Sequence, residues 1–353
     1  MGKLRILCAV VLTAVSVLVS ARERVIVVKA GDAGSLLEAI DEANRQNADS
    51  LSKQLYILIP DGLYDLGERT LTTLTGHNIS LIGQSMAGTI IKNTPPVEME
   101  GISKTATIRN MASGIFLQDL TLQNALDYYH SGAAGRAVCY HDKGTRSILN
   151  RVRMLSYQDT YYTDNVEGQT YLLDAEIHGT IDFICGAGDV FFDHCLIVTE
   201  PRNTDGTGED VIAAPRTLDT PWGYIFSDCT IESRLSKFLY ARGWQKTPHC
   251  VWLNTTLLTP DLLLPSRFDP QGMRTINSDF REYHTTDLQG NDITPSSNVI
   301  TFTLDDNKNT VETVISSEEA AKYQLKNVFP KWRPEKQLKK LSRKAEKLKK
   351  QYL

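Results

Sequence analysis

Apolar residues recur along the chain in a six-residue pattern, apolar-x-x-apolar-x-apolar. It appears as Leu117-Gln-Asp-Leu120-Thr-Leu122, Leu149-Asn-Arg-Val152-Arg-Met154 and Leu172-Leu-Asp-Ala175-Glu-Ile177. It returns as Phe192-Asp-His-Cys195-Leu-Ile197, Phe226-Ser-Asp-Cys229-Thr-Ile231 and Trp252-Leu-Asn-Thr255-Thr-Leu257. Successive copies begin 32, 23, 20, 34 and 26 residues apart. Short β-rich runs repeating at that period, separated by Gly, Asn and Asp, predict a stacked solenoid. The irregular steps fit an all-β, right-handed, single-stranded parallel β-helix, whose turns absorb insertions. A β-sandwich is the alternative, but its antiparallel strands do not repeat one pattern in register.

Helical spacing is confined to the two ends. "AGSLLEAIDEANRQN" (Ala33 to Asn47) places Leu36, Leu37, Ile40 and Ala43 on one face, with Ser35 as the expected N-cap. This helix is expected to cover an open end of the stack. The segment 331–353 places Leu338, Leu341, Ala345, Leu348 and Tyr352 on one face and basic residues on the other. It reads as a basic amphipathic helix docked along the body, with contact to a membrane surface or a polyanion as the sharper alternative.

Residues 1–21 read as a signal peptide: Lys3 and Arg5, an apolar run from Ile6 to Val19, and a small-residue cleavage site near Ala21. The run is short for a membrane span. The expectation is export, periplasmic or secreted, with a mature body over 22–330 and no stable membrane anchor. The tail from Lys331 carries ten Lys/Arg against two Glu, and the leader adds two positive charges. The formal charge of −4 therefore conceals a body near −14. Such a body argues against nucleic acid as partner, and any anionic substrate must be held by local groups. Five cysteines remain after cleavage, an odd and sparse set that predicts buried free thiols rather than a disulfide framework.

The stacking rule also applies to polar residues. Asp159, in "SYQDTYY", lies ten residues past Leu149, and Asp182, in "GTIDFICG", ten past Leu172. Equivalent positions in consecutive coils are one strand spacing apart, about 4.8 Å. Two carboxylates that close push one to hold a proton, which yields an acid and a base or nucleophile from one residue type. Two unrelated turn aspartates are the bland reading. Other chemistries lack support. "GQSMAG" has Ala87 where a serine-esterase elbow needs glycine. The seven histidines show no metal-ligand spacing. "TDGTGED" reads as an acidic surface loop. Neither a metal nor an organic cofactor is expected.

"YQDT", "GTIDFICG", "DGLYDLG" and "YARGWQ", in their order over about residues 25–330, resemble the pectin methylesterases (pectinesterases, carbohydrate esterase family 8). The family pattern runs Gly-x-Tyr-x-Glu, Gln-Ala-Val, Gln-Asp-Thr, Asp-Phe-Ile-Phe-Gly and Gly-Arg-Pro-Trp. The resemblance implies a parallel β-helix that hydrolyses methyl esters of galacturonate in pectin and releases methanol, acting as a monomer. It implies Asp182 as nucleophile and Asp159 as acid/base. Gln158 would donate to the oxyanion, and Arg242 would hold the nucleophile charged and oriented. Phe183, Trp244 and Tyr161, with Tyr162, would line the sugar groove. Four positions depart from the pattern: Arg136 replaces the glutamine of Gln-Ala-Val, Cys185 the second Phe, Gly243 the Pro and Leu66 the Glu. Arg136 is expected to serve the oxyanion or a substrate carboxylate. A β-helix pectate lyase or polygalacturonase, a non-catalytic pectin-binding relative, and an esterase for another ester remain the alternatives.

Overall fold

The computed structural model describes residues 24–131, 135–217, 222–245, 247–269, 279–304 and 307–353. The expected signal peptide lies outside them. The hexads come into register. Their first positions form one ladder, Leu117–Leu149–Leu172–Phe192–Phe226–Trp252. Their sixth positions form a second, Leu122–Met154–Ile177–Ile197–Ile231–Leu257. Every pairing in both ladders is parallel, and all twelve side chains are fully buried in one interior cluster. This is a right-handed parallel β-helix.

The hexad departs from strict strand alternation because its third residue turns a corner. Asp119, Arg151, Asp174, His194, Asp228 and Asn254 all have φ between 50° and 55°. One left-handed residue reverses the in–out phase, so positions 1, 4 and 6 all point inward. Four of the six are Asp or Asn, the non-glycine residues that tolerate this conformation best. The corner separates two faces of the coil. The first runs from Val25–Val27 to Asp279–Tyr283; the second includes Glu176–Gly179, Leu196–Thr199 and Thr230–Ser233. A third face, an eight-stranded sheet, includes Tyr140–Asp142, Tyr161–Thr163, Ile181–Gly186, Glu209–Pro215 and Lys237–Arg242.

Inside the coil, like stacks on like. The Phe192 and Phe226 rings lie 4.2 Å apart, and Phe226 and Trp252 lie 3.8 Å apart at 2°. Cys195 and Cys229 share the fourth hexad slot as buried free thiols, and Cys139, Cys185 and Cys250 are also free.

The ends are closed differently. Helix Ala33–Gln46 buries Leu36, Ala39, Ile40 and Ala43 in the interior cluster. Its N-cap is Asp32, not Ser35: the Asp32 carboxylate accepts from the Ser35 backbone N–H at 2.9 Å. Ser35 already lies within the first turn, and its hydroxyl accepts from Lys29 N–H at 3.1 Å. Beyond Tyr283 the chain leaves the coil for an antiparallel hairpin, Val299–Leu304 with Asn307–Glu312. Helix Pro334–Tyr352 then packs Leu341, Ala345 and Leu348 onto the outside of the first face, against Tyr56, Phe116 and Ile148. Among the described residues no helix is long and apolar enough to cross a membrane.

Replacing Phe226 by Ala empties the middle of the aromatic stack and is expected to cost about 3–5 kcal/mol. Asp228→Val touches no core contact, yet a β-branched residue at positive φ should cost about 1–2 kcal/mol. Urea unfolding of the two variants measures both; an unchanged Asp228→Val would remove the corner argument.

Candidate active site

The third face carries the chemistry. Tyr161–Thr163 pairs with Ile181–Gly186 through Tyr161↔Ile184 and Tyr162↔Cys185. Asp159 and Asp182 therefore occupy equivalent places in consecutive coils, as the shared ten-residue offset predicts. Both are left-handed, with φ of 59° and 53°. At Asp182 the pairing with Glu209–Pro215 shifts register between Ile181 and Ile184. That local bulge turns one carboxylate out of an apolar strand while its neighbours Phe183 and Ile184 both face the core.

The two carboxylates are almost wholly buried, at 4% and 2% exposure, but in different surroundings. Arg242 grips Asp182 with two parallel bonds, Nε to Oδ1 at 2.8 Å and Nη2 to Oδ2 at 2.6 Å. Burial raises the Asp182 carboxyl above its ordinary range, and the guanidinium opposes that shift. Asp159 has no such partner. Burial first, and then the charge of Asp182, push its carboxyl well above the ordinary carboxylate value. The asymmetry separates the pair: burial raises both carboxyls, but only Asp182 has a guanidinium bonded to it, and Asp159 is pushed up further.

Both line a pocket of about 210 Å³ with Ile102, Arg136, Gln158, Cys185, Ala214, Arg242 and Trp244. Six of the nine expected site residues thus come together: Asp159, Asp182, Gln158, Arg242, Arg136 and Trp244. The Arg136 and Gln158 backbones form a parallel bridge, which sets the two side by side on adjacent coils. Arg136 is itself held by Glu100, with Nε to Oε2 at 2.9 Å and Nη2 to Oε1 at 2.8 Å. The sequence offered no signal for Glu100, which lies 36 residues upstream on another turn.

Phe183 and Tyr161 do not reach the pocket. Both are fully buried in the coil interior. The bulge at Asp182 sends Phe183 inward, and Tyr161 stacks inside on Tyr140 at 6.1 Å. The next residue, Tyr162, lies outside the coil but is also buried, packed against the His141 ring at 4.5 Å and Trp244 at 6.0 Å, and it does not line the pocket. Arg216 lies over the Trp244 ring at 5.0 Å. Cys185 also faces the pocket, and its thiol points at Asp159 Oδ1 from 3.7 Å. Burial first, and then the neighbouring carboxyls of Asp159 and Asp182, push that thiol far up, so it is no thiolate nucleophile.

A family model described as Pectinesterase matches residues 24–280. Pectinesterase 3 of Solanum lycopersicum is 26% identical over 245 residues, 61% of this chain and 43% of its own length. Probable pectinesterase 30 of Arabidopsis thaliana is 26% identical over 268 residues, 73% of this chain and 52% of its own. The chain thus spans about half, or less, of the curated relatives it matches. Among solved structures, a pectin methylesterase from Erwinia chrysanthemi superposes with a TM-score of 0.65 at 22% identity, over 84% of this chain and 93% of its own. One from carrot gives 0.65 at 20%, over 82% and 88%.

A carboxyl whose pKa is raised on folding stabilises the fold only while protonated. Its contribution falls as pH rises from about 3.8 through the folded value. Asp159→Asn should therefore leave stability near the wild type at pH 4 and raise it at pH 7. Thermal unfolding at the two pH values tests this; an equal effect at both would place Asp159 in its ionised form.

Proposed function

Since this chain belongs to the pectinesterase family, we propose that it hydrolyses methyl esters of galacturonate units in pectin and releases methanol. The observation that carries the reading is the stacked carboxylate pair: Asp182 in the grip of Arg242, beside a buried Asp159 whose carboxyl is pushed well above its ordinary range, in one pocket. The pair divides the work of ester cleavage without a cofactor.

In this reading, an Asp182 oxygen attacks the ester carbonyl carbon and the carbonyl electrons move onto its oxygen. The Gln158 amide donates to that oxyanion. As the tetrahedral intermediate collapses, the bond to the methoxy oxygen breaks, and Asp159 delivers its proton to the departing methanol. Asp182 is left in a mixed anhydride with the galacturonate carbonyl. Asp159, now ionised, takes a proton from water, and the hydroxide adds to the anhydride. Cleavage of the anhydride returns Asp182 as carboxylate, and the proton remains on Asp159. Arg242 keeps the nucleophile ionised at the start and receives its charge again at the end. Trp244 offers an aromatic face for a sugar ring. The leader-like first 21 residues support export to where pectin is met, and we infer action as a monomer.

Asp182→Asn should lower methanol release from methylated pectin by roughly three orders of magnitude or more. A wild type that releases no methanol over a broad range of pH and pectins would overturn the esterase reading. New reducing ends or unsaturated ends would point instead to the glycosidase or lyase alternatives. Arg242→Ala leaves the Asp182 carboxyl buried without its counter-charge, so its pKa climbs further. Activity should then be lost most at low pH, with the acid limb of the rate profile displaced upward. A loss of equal size at every pH would assign Arg242 another role.

A further inference from the structure

The basic run at the C-terminus takes no part in the chemistry above, and its placement suggests a use of its own. Helix Pro334–Tyr352 is pinned to the first face by its buried Leu341, Ala345 and Leu348. Lys349 adds an ion pair to Asp119 at 2.7 Å, and Glu346 accepts from Gln118 at 3.1 Å. The other side of the helix carries Lys336, Lys340, Arg343, Lys347 and Lys350, all exposed. Their spacings of four, three, four and three residues keep them on one line. At 1.5 Å per residue the line is about 21 Å long, with a positive charge about every 5 Å. The helix's two glutamates do not interrupt it: Glu335 pairs with Arg333 at 2.9 Å and Glu346 with Arg151 at 3.4 Å.

A helix that works at a membrane surface buries its apolar face among the lipids. Here that face is already inside the protein. What remains is a straight, water-facing row of cations on a body whose formal charge is near −14. Its complement is a linear polyanion. Resting on the proposed activity, each turnover exposes one more carboxylate on the substrate, so the polymer becomes such a polyanion as the reaction proceeds. We propose that the outward row of the C-terminal helix binds de-esterified stretches of the polyuronate chain. The row lies on the first face and the catalytic pocket on the third, so this contact holds polymer away from the chemistry. It tethers the protein to chains that it has partly processed.

Binding of this kind displaces counterions and weakens steeply with salt. The test is binding of the full chain to fully de-esterified polygalacturonate across about 50 to 200 mM salt. It is compared with a variant carrying Lys336→Gln, Lys340→Gln, Arg343→Gln and Lys350→Gln, which leaves the docking face intact. The variant is expected to bind at least about tenfold more weakly and with a shallower salt slope. Both proteins should release methanol from a short methylated oligogalacturonide at the same rate. Wild-type protein that releases methanol but does not bind the polymer, or a variant that binds it equally well, overturns the proposal. So does binding to vesicles of anionic phospholipid without binding to polygalacturonate. Polymer binding that depends on the row, in a protein that releases no methanol, would sustain the row and remove the reading of the pocket.

Discussion

One constraint runs through the whole molecule: each coil must present its backbone to the next at the spacing of a parallel ladder, about 4.8 Å. Side chains at equivalent positions are then forced into contact whatever their chemistry. In the interior this makes rows of Leu, Ile and Phe, and it brings Phe226 and Trp252 to 3.8 Å. On the outer surface of the third face the same rule stacks two aspartates. The spacing that builds the core therefore also places two like charges close enough to perturb each other.

The corner residue is what lets one chain serve both purposes. A left-handed residue every coil shifts the alternation, so three positions of six face inward. The same device, used at Asp159 and Asp182, turns a carboxylate outward from a run that otherwise faces in. Backbone strain of this kind collects at functional sites, where surrounding structure holds it in place. Here the ladders on either side hold it.

Burial then differentiates the pair. Neither aspartate meets much water, so each would favour the neutral form. Arg242 compensates one of them through two short bonds and leaves the other to its surroundings. The structure repeats this economy at Arg136, whose charge is answered by Glu100 at the pocket's edge.

The hexads, their register, both terminal helices and the aspartate pair were legible in the amino-acid sequence, because each follows from a periodicity. Gln158, Arg242, Arg136 and Trp244 were legible as well, from motif order. Contacts without a period were not. Asp32 displaced Ser35 as the cap because three residues of backbone path decided which oxygen met the first free N–H. Phe183 went inward because of the bulge at Asp182, and Tyr161 went inward and Tyr162 outward after the left-handed Asp159. Glu100 came to Arg136 from another turn of the chain, a meeting that no local pattern encodes. The sequence by itself determined which residues repeat. Tertiary structure alone decided which way each one points, since orientation depends on bulges and corners set by the neighbouring coils.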